Sequence, residues 1–204
     1  MTRSLRNLLS GAAFGLAALG ACALRAEVTP DQLFQAWIEA APALGGQLTA
    51  TPRPQAGGLV LADLTFSTPR GEVLHLGQVT LQDGAAGGVD ILLPERFEVT
   101  LDTRPDRRLP GPKQLVFLVS APGFSAHVRG LGPGEAGYAL TAPSLAITLD
   151  RVLPAPMAPQ HVGLTLALAD LALDWQQEPS AAGAGATGRL TLGTLHGDFS
   201  YLLT

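Results

Sequence analysis

Residues 161–175 read His161-Val162-Gly163-Leu164-Thr165-Leu166-Ala167-Leu168-Ala169-Asp170-Leu171-Ala172-Leu173-Asp174-Trp175. Val162, Leu164, Leu166 and Leu168 alternate with small or polar residues, the two-residue period of a strand with one buried face. The period then slips by one position, and Leu171, Leu173 and Trp175 carry it on. One extra residue in an alternating run predicts a β-bulge, which bends the strand and adds twist. An earlier strand slips in the same way, from Leu59 and Leu61 to Leu64 and Phe66. Both slips fall on one word, Leu61-Ala62-Asp63-Leu64-Thr65-Phe66 and Leu168-Ala169-Asp170-Leu171-Ala172-Leu173. That recurrence suggests an internal duplication of a long bent strand.

The same period runs through most of the chain. It predicts strands over 58–67, 72–82, 89–93, 97–102, 114–121, 124–130, 138–141, 145–152, 161–175 and 189–203. The separators are turn-like and short, among them Pro69-Arg70-Gly71, Asp83-Gly84 and Ala121-Pro122-Gly123. Short separators favour an antiparallel meander over crossover units, which need a helix between parallel strands. In Leu115-Val116-Phe117-Leu118-Val119 both faces are apolar, which predicts cover on both sides. One segment has a helical period instead. Thr29 is placed to cap it, Pro30 sits where a missing N–H costs nothing, and Gln32 completes a capping box. Leu33, Phe34, Trp37, Ile38 and Ala41 share one face, and Pro42 with Gly45-Gly46 ends the helix. The expected fold is mainly β: a twisted antiparallel meander sheet with one N-terminal amphipathic helix packed on it.

The first residues address the protein. Arg3 and Arg6 precede an uncharged, mostly apolar run from Leu8 to Leu24, with small residues at Ala21, Cys22, Ala23 and Ala26. This is the pattern of a signal peptide over 1–26, and it implies a periplasmic protein. Two processing routes fit, beside a third outcome in which the segment stays uncleaved as an anchor. Cleavage after Ala23 or Ala26 releases a free protein. Leu19-Gly20-Ala21-Cys22 also fits a lipobox, in which Cys22 is lipidated and anchors the protein to the membrane from its periplasmic side. Cys22 is the single cysteine, so residues 27–204 carry no internal disulfide.

Residues 27–204 are expected to form one mostly-β domain, long enough for a sizeable core. The chain has 13 Lys and Arg against 17 Asp and Glu, a net charge of −4, and loss of 1–26 makes it more acidic. A basic footprint for nucleic acid is absent. Charged residues are only 15% of the chain, beside 24 Gly and 16 Pro, but the regular alternation argues against disorder.

The order Val28-Thr29, Gln32-Leu33-Phe34, Trp37 after a cleavable signal, then Leu59, Leu61, Asp63-Leu64, resembles the start of the alphaproteobacterial domain-of-unknown-function 2125 family of exported proteins. The resemblance covers about residues 27–175. It implies export, with cleavage before Glu27, and it implies that this chain corresponds to the N-terminal half of a longer family architecture. It implies no activity.

The motifs that suggest chemistry lack their context. Gly183-Ala184-Gly185-Ala186-Thr187-Gly188 fits a dinucleotide fingerprint, but a strand pattern follows it where a helix is needed, so it reads as a flexible hairpin loop. His75, His127, His161 and His196 are dispersed without metal-ligand spacing, and read as exposed or turn residues. Gly123-Phe124-Ser125-Ala126-His127 departs from a nucleophile elbow at its last residue. Glu95, Glu98, Asp102 and Asp106 with Arg104, Arg107 and Arg108 read as a solvated strand end and loop. No catalytic residue, metal or cofactor is assigned. What remains is apolar surplus. The face of Leu33, Phe34, Trp37 and Ile38 is either core or the wall of a groove for a lipid-like ligand. The expected role is a non-enzymatic envelope protein that binds a lipid or an envelope protein. The alternative is a periplasmic hydrolase using Ser125 or the acidic residues near Glu95.

Overall fold

The structure, a computed structural model, describes residues 28–84, 87–102, 114–132, 135–153, 161–180 and 183–202. Residues 1–26, read above as a signal peptide, lie with Cys22 outside the described residues, as do Arg104, Asp106, Arg107 and Arg108. Helix α1 spans Pro30–Ala40 and runs into a 3-10 turn, Ala41–Leu44. Its capping box is formed: the Thr29 hydroxyl accepts from the Gln32 amide at 3.3 Å, and Gln32 Oε1 accepts from the Thr29 amide at 3.1 Å. Eleven strands follow: β1 Gln47–Gln55, β2 Gly58–Ser67, β3 Val73–Asp83, β4 Val89–Leu92, β5 Arg96–Asp102, β6 Gln114–Ser120, β7 Ser125–Gly132, β8 Glu135–Leu153, β9 His161–Ser180, β10 Gly183–Thr191 and β11 Thr194–Leu202. All belong to one antiparallel sheet, so the mainly-β fold stands, with α1 the one α-helix among the described residues.

The pairings reduce the eleven strands to eight lanes of a meander. One edge of β3 is shared, with 73–75 against β5 and 80–83 against β4. One edge of β8 is shared likewise by β6 and β7, and one edge of β9 by β11 and β10. Thus β4 with β5, β6 with β7, and β10 with β11 are each one lane broken in the middle.

The breaks line up. Pairing skips Ala50 between β1 and β2, and Ala62 and Asp63 between β2 and β3. It lapses at Leu93-Pro94-Glu95 and at Ala121-Pro122-Gly123-Phe124, skips Pro143 opposite Asp170, and lapses at Leu192-Gly193. A single crease therefore crosses every lane. Asp63 and Asp170 both hold left-handed backbone there, with φ 55° and 54°. Gly77, with φ 76°, occupies the crease in β3, where a side chain would be strained. Gly193 is demanded by proximity: a Cβ would lie 2.9 Å from Asp170 Oδ2. Since a bulge consumes two residues against one, apolar residues on both sides of the crease face the same way.

Three sequence readings are corrected. The 183–188 glycine run is not a loop; it lies in β10, paired with β9. The predicted strands at 138–141 and 145–152 are one strand, because the intervening Pro143 sits where no ladder bond is required. The apolar run 115–119 is covered on one side only at Leu118, which is 43% exposed while Val116 and Val119 are buried. Strand β1 had no strong signal, since Pro52 and Pro54 disguise it; it is an edge lane, where proline is tolerated.

Candidate functional site

Helix α1 lies on the inner face of the sheet at its β1–β3 end. Leu33, Phe34 and Trp37 are buried, Trp37 to 1% exposure, and Ile38 is half-buried. They join Leu59, Leu61, Val79, Leu81, Val89, Val128 and Tyr138 in one core. This half of the inner face, on the helix side of the crease, is filled.

Across the crease the inner face is differently covered. The register aligns apolar side chains in rows that cross the lanes. One row runs Leu48, Phe66, Leu74, Leu101, Leu115, Val152. The next includes Phe97, Val119, Ile147 and Leu166, and ends at Gly197. Leu145, Leu168 and Leu195 form another. Leu101 and Val119 are buried, Ile147, Leu166 and Leu168 are half-buried, and Leu195 and Phe199 are 60% and 64% exposed. Cover thins steadily toward β11. Apolar area left in water in this way is a cost that cover by another apolar surface would remove.

The titratable groups of these lanes alternate onto the outer face. Asp102 accepts a hydrogen bond from Gln114 Nε2 at 2.7 Å and lies 3.2 Å from His75 Nε2. These two hydrogen bonds, Gln114 first, hold its carboxyl below the usual carboxylate range. The stability this gives is present above that range and is lost as pH falls through the lowered value. Arg151 bonds both oxygens of Glu98 at 2.9 and 3.0 Å. His127 Nδ1 meets Asp90 Oδ1 at 2.7 Å from the facing strand position.

The residues singled out from sequence are therefore dispersed. His75, His127 and His196 stand on three different strands rather than in turns, and His161 begins a fourth. Among the described residues no cluster of three metal-ligating side chains forms. His127 directs Nδ1 to Asp90, and Ser125, two residues away, is exposed. Glu95 is exposed at the crease and Glu98 is engaged by Arg151. Sequence reasoning placed the candidate apolar face on the helix. The open one lies on β6, β8, β9 and β11. Alternation marks which residues point inward but carries no information on what covers them. Comparison with protein-family models, curated proteins and solved structures finds no match for this chain.

Proposed function

We propose that this chain is an exported cell-envelope protein without a catalytic role, whose inner sheet face beyond the crease takes a hydrophobic ligand of the acyl-chain class. The observation that carries the reading is the series of uncharged rows whose cover thins from Val119 to Phe199. Export is supported by Arg3 and Arg6 ahead of the Leu8–Leu24 run, and by the resemblance to the domain-of-unknown-function 2125 proteins. Delivery is to the periplasm, free after cleavage before Glu27, or with Cys22 lipidated.

Native mass spectrometry of the full chain from an envelope fraction tests both parts. The expected spectrum shows the processed chain, starting at Glu27 or Leu24 or as acylated Cys22, with a noncovalent acyl-lipid adduct. Ile147→Asp, on the half-buried part of the face, should abolish the adduct while far-UV circular dichroism keeps its β signature. A chain still carrying Met1, or a wild-type chain free of adducts, overturns the corresponding part.

A further inference from the structure

The two edges of the sheet are built differently. The β1 edge carries Pro52 and Pro54 with Arg53 between them. Proline and charge are the devices by which an edge avoids pairing with another chain. The β11 edge, Thr194–Leu202, has no proline and no lysine, its one carboxylate, Asp198, stands beside His196, and among the described residues its only strand partner is β9. It is regular over its whole length against β9.

We infer that β11 pairs antiparallel with β11 of a second copy of this chain, across a two-fold axis at Gly197. The residue pattern is self-complementary in that register alone. Opposed positions in such a pair add to a constant, so centring on Gly197 sets His196 against Asp198 of the second copy, twice. It also sets Leu195 against Phe199, twice, and Thr194 against Ser200. On the outer face the His196–Asp198 pair of each chain joins the other's in a square of alternating imidazole and carboxylate; the inner face gains two apolar pairs. Facing side chains of this kind are what stabilise a strand pair.

Neighbouring registers lose both features. Centring on Asp198 opposes two carboxylates, and centring on His196 opposes two imidazoles and leaves Leu195 against Gly197. The exposed residues match the need. His196 and Asp198 are 75% and 71% exposed at the side chain; their contact of 3.0 Å inside one chain uses Nε2 and Oδ2, which leaves Nδ1 and Oδ1 to face a second copy. Leu195 and Phe199 are the large apolar residues that β9 leaves open on this strand. At the axis the two Gly197 positions leave a gap on the inner face, and the diagonal Phe199 rings cover it, as aromatic neighbours do for strand glycines. An isologous contact of this type closes after two copies.

Sedimentation velocity of the full chain at tens of micromolar decides the matter. The expected species has the mass of two chains; a single-chain mass overturns the inference. His196→Glu opposes like charges at both symmetric positions and should raise the dissociation constant on the order of tenfold or more. His196→Glu combined with Asp198→Arg should restore the two-chain species. A dimer indifferent to His196→Glu, or one that the double change fails to restore, overturns the Gly197 register.

Discussion

Asp63 and Asp170 hold a backbone conformation that costs an ordinary L-residue roughly 1–2 kcal/mol. Aspartate tolerates it better than most, glycine best, and β-branched residues least. Asp170→Gly should therefore be close to neutral, while Asp170→Val should destabilise by about 1–3 kcal/mol, read from urea unfolding midpoints. The side chain contributes too, because Asp170 packs against Gly193, the residue that breaks the outer lane. The slip in alternation is enough to locate both aspartates. The left-handed φ was not legible, since hydrophobic period reports faces and not dihedral angles.

Helix α1 shows how local and tertiary terms divide. Its start is fixed by sequence-local bonds, which is why Thr29, Pro30 and Gln32 could be read directly. Its value to the fold is tertiary. Trp37 is buried among the strands of the helix half, and its indole Nε1 has no hydrogen-bond partner among the described residues, so apolar packing outweighs the loss of one bond. Trp37→Ala should cost about 3–5 kcal/mol and unfold a marginal domain; differential scanning calorimetry measures it. Trp37→Phe should cost much less, since it keeps most of the ring and removes the unpaired donor. The lanes were harder to read than the helix. Proline argues against a strand wherever the ladder needs its N–H, and Pro52, Pro54 and Pro143 all occupy positions that do not. Glycine argues for a loop, and the Gly183–Gly188 run is nevertheless held as β10 by its hairpin partner β9.

Across the whole molecule, every lane pairs with its sequence neighbours, so the meander needs no crossover connection. The open apolar rows were legible as inward-facing residues, while their thinning cover depends on the helix reaching only the β1–β3 end, which no residue pattern encodes. The crease also sets where the sheet opens first. Amide hydrogen exchange should be fastest, among strand-flanked residues, at Asp63, Leu93, Glu95, Gly123 and Leu192, and slowest in the ladders of β8 with β9 on both sides. Uniform protection through the crease would contradict this.

The crease has a mechanical meaning as well. A regular sheet resists folding about an axis across its strands because every strand would have to leave its extended dihedral angles at once. Here every lane carries a bulge, a turn-like break or a left-handed residue on one line, so a change in the mutual angle of the two halves is concentrated there, although Ala121 still donates to Glu95 and Gly193 to Ala169 across the lanes. A bend confined to one transverse line leaves the strands on either side straight, so the sheet has two faces at an angle to each other rather than one continuous curve.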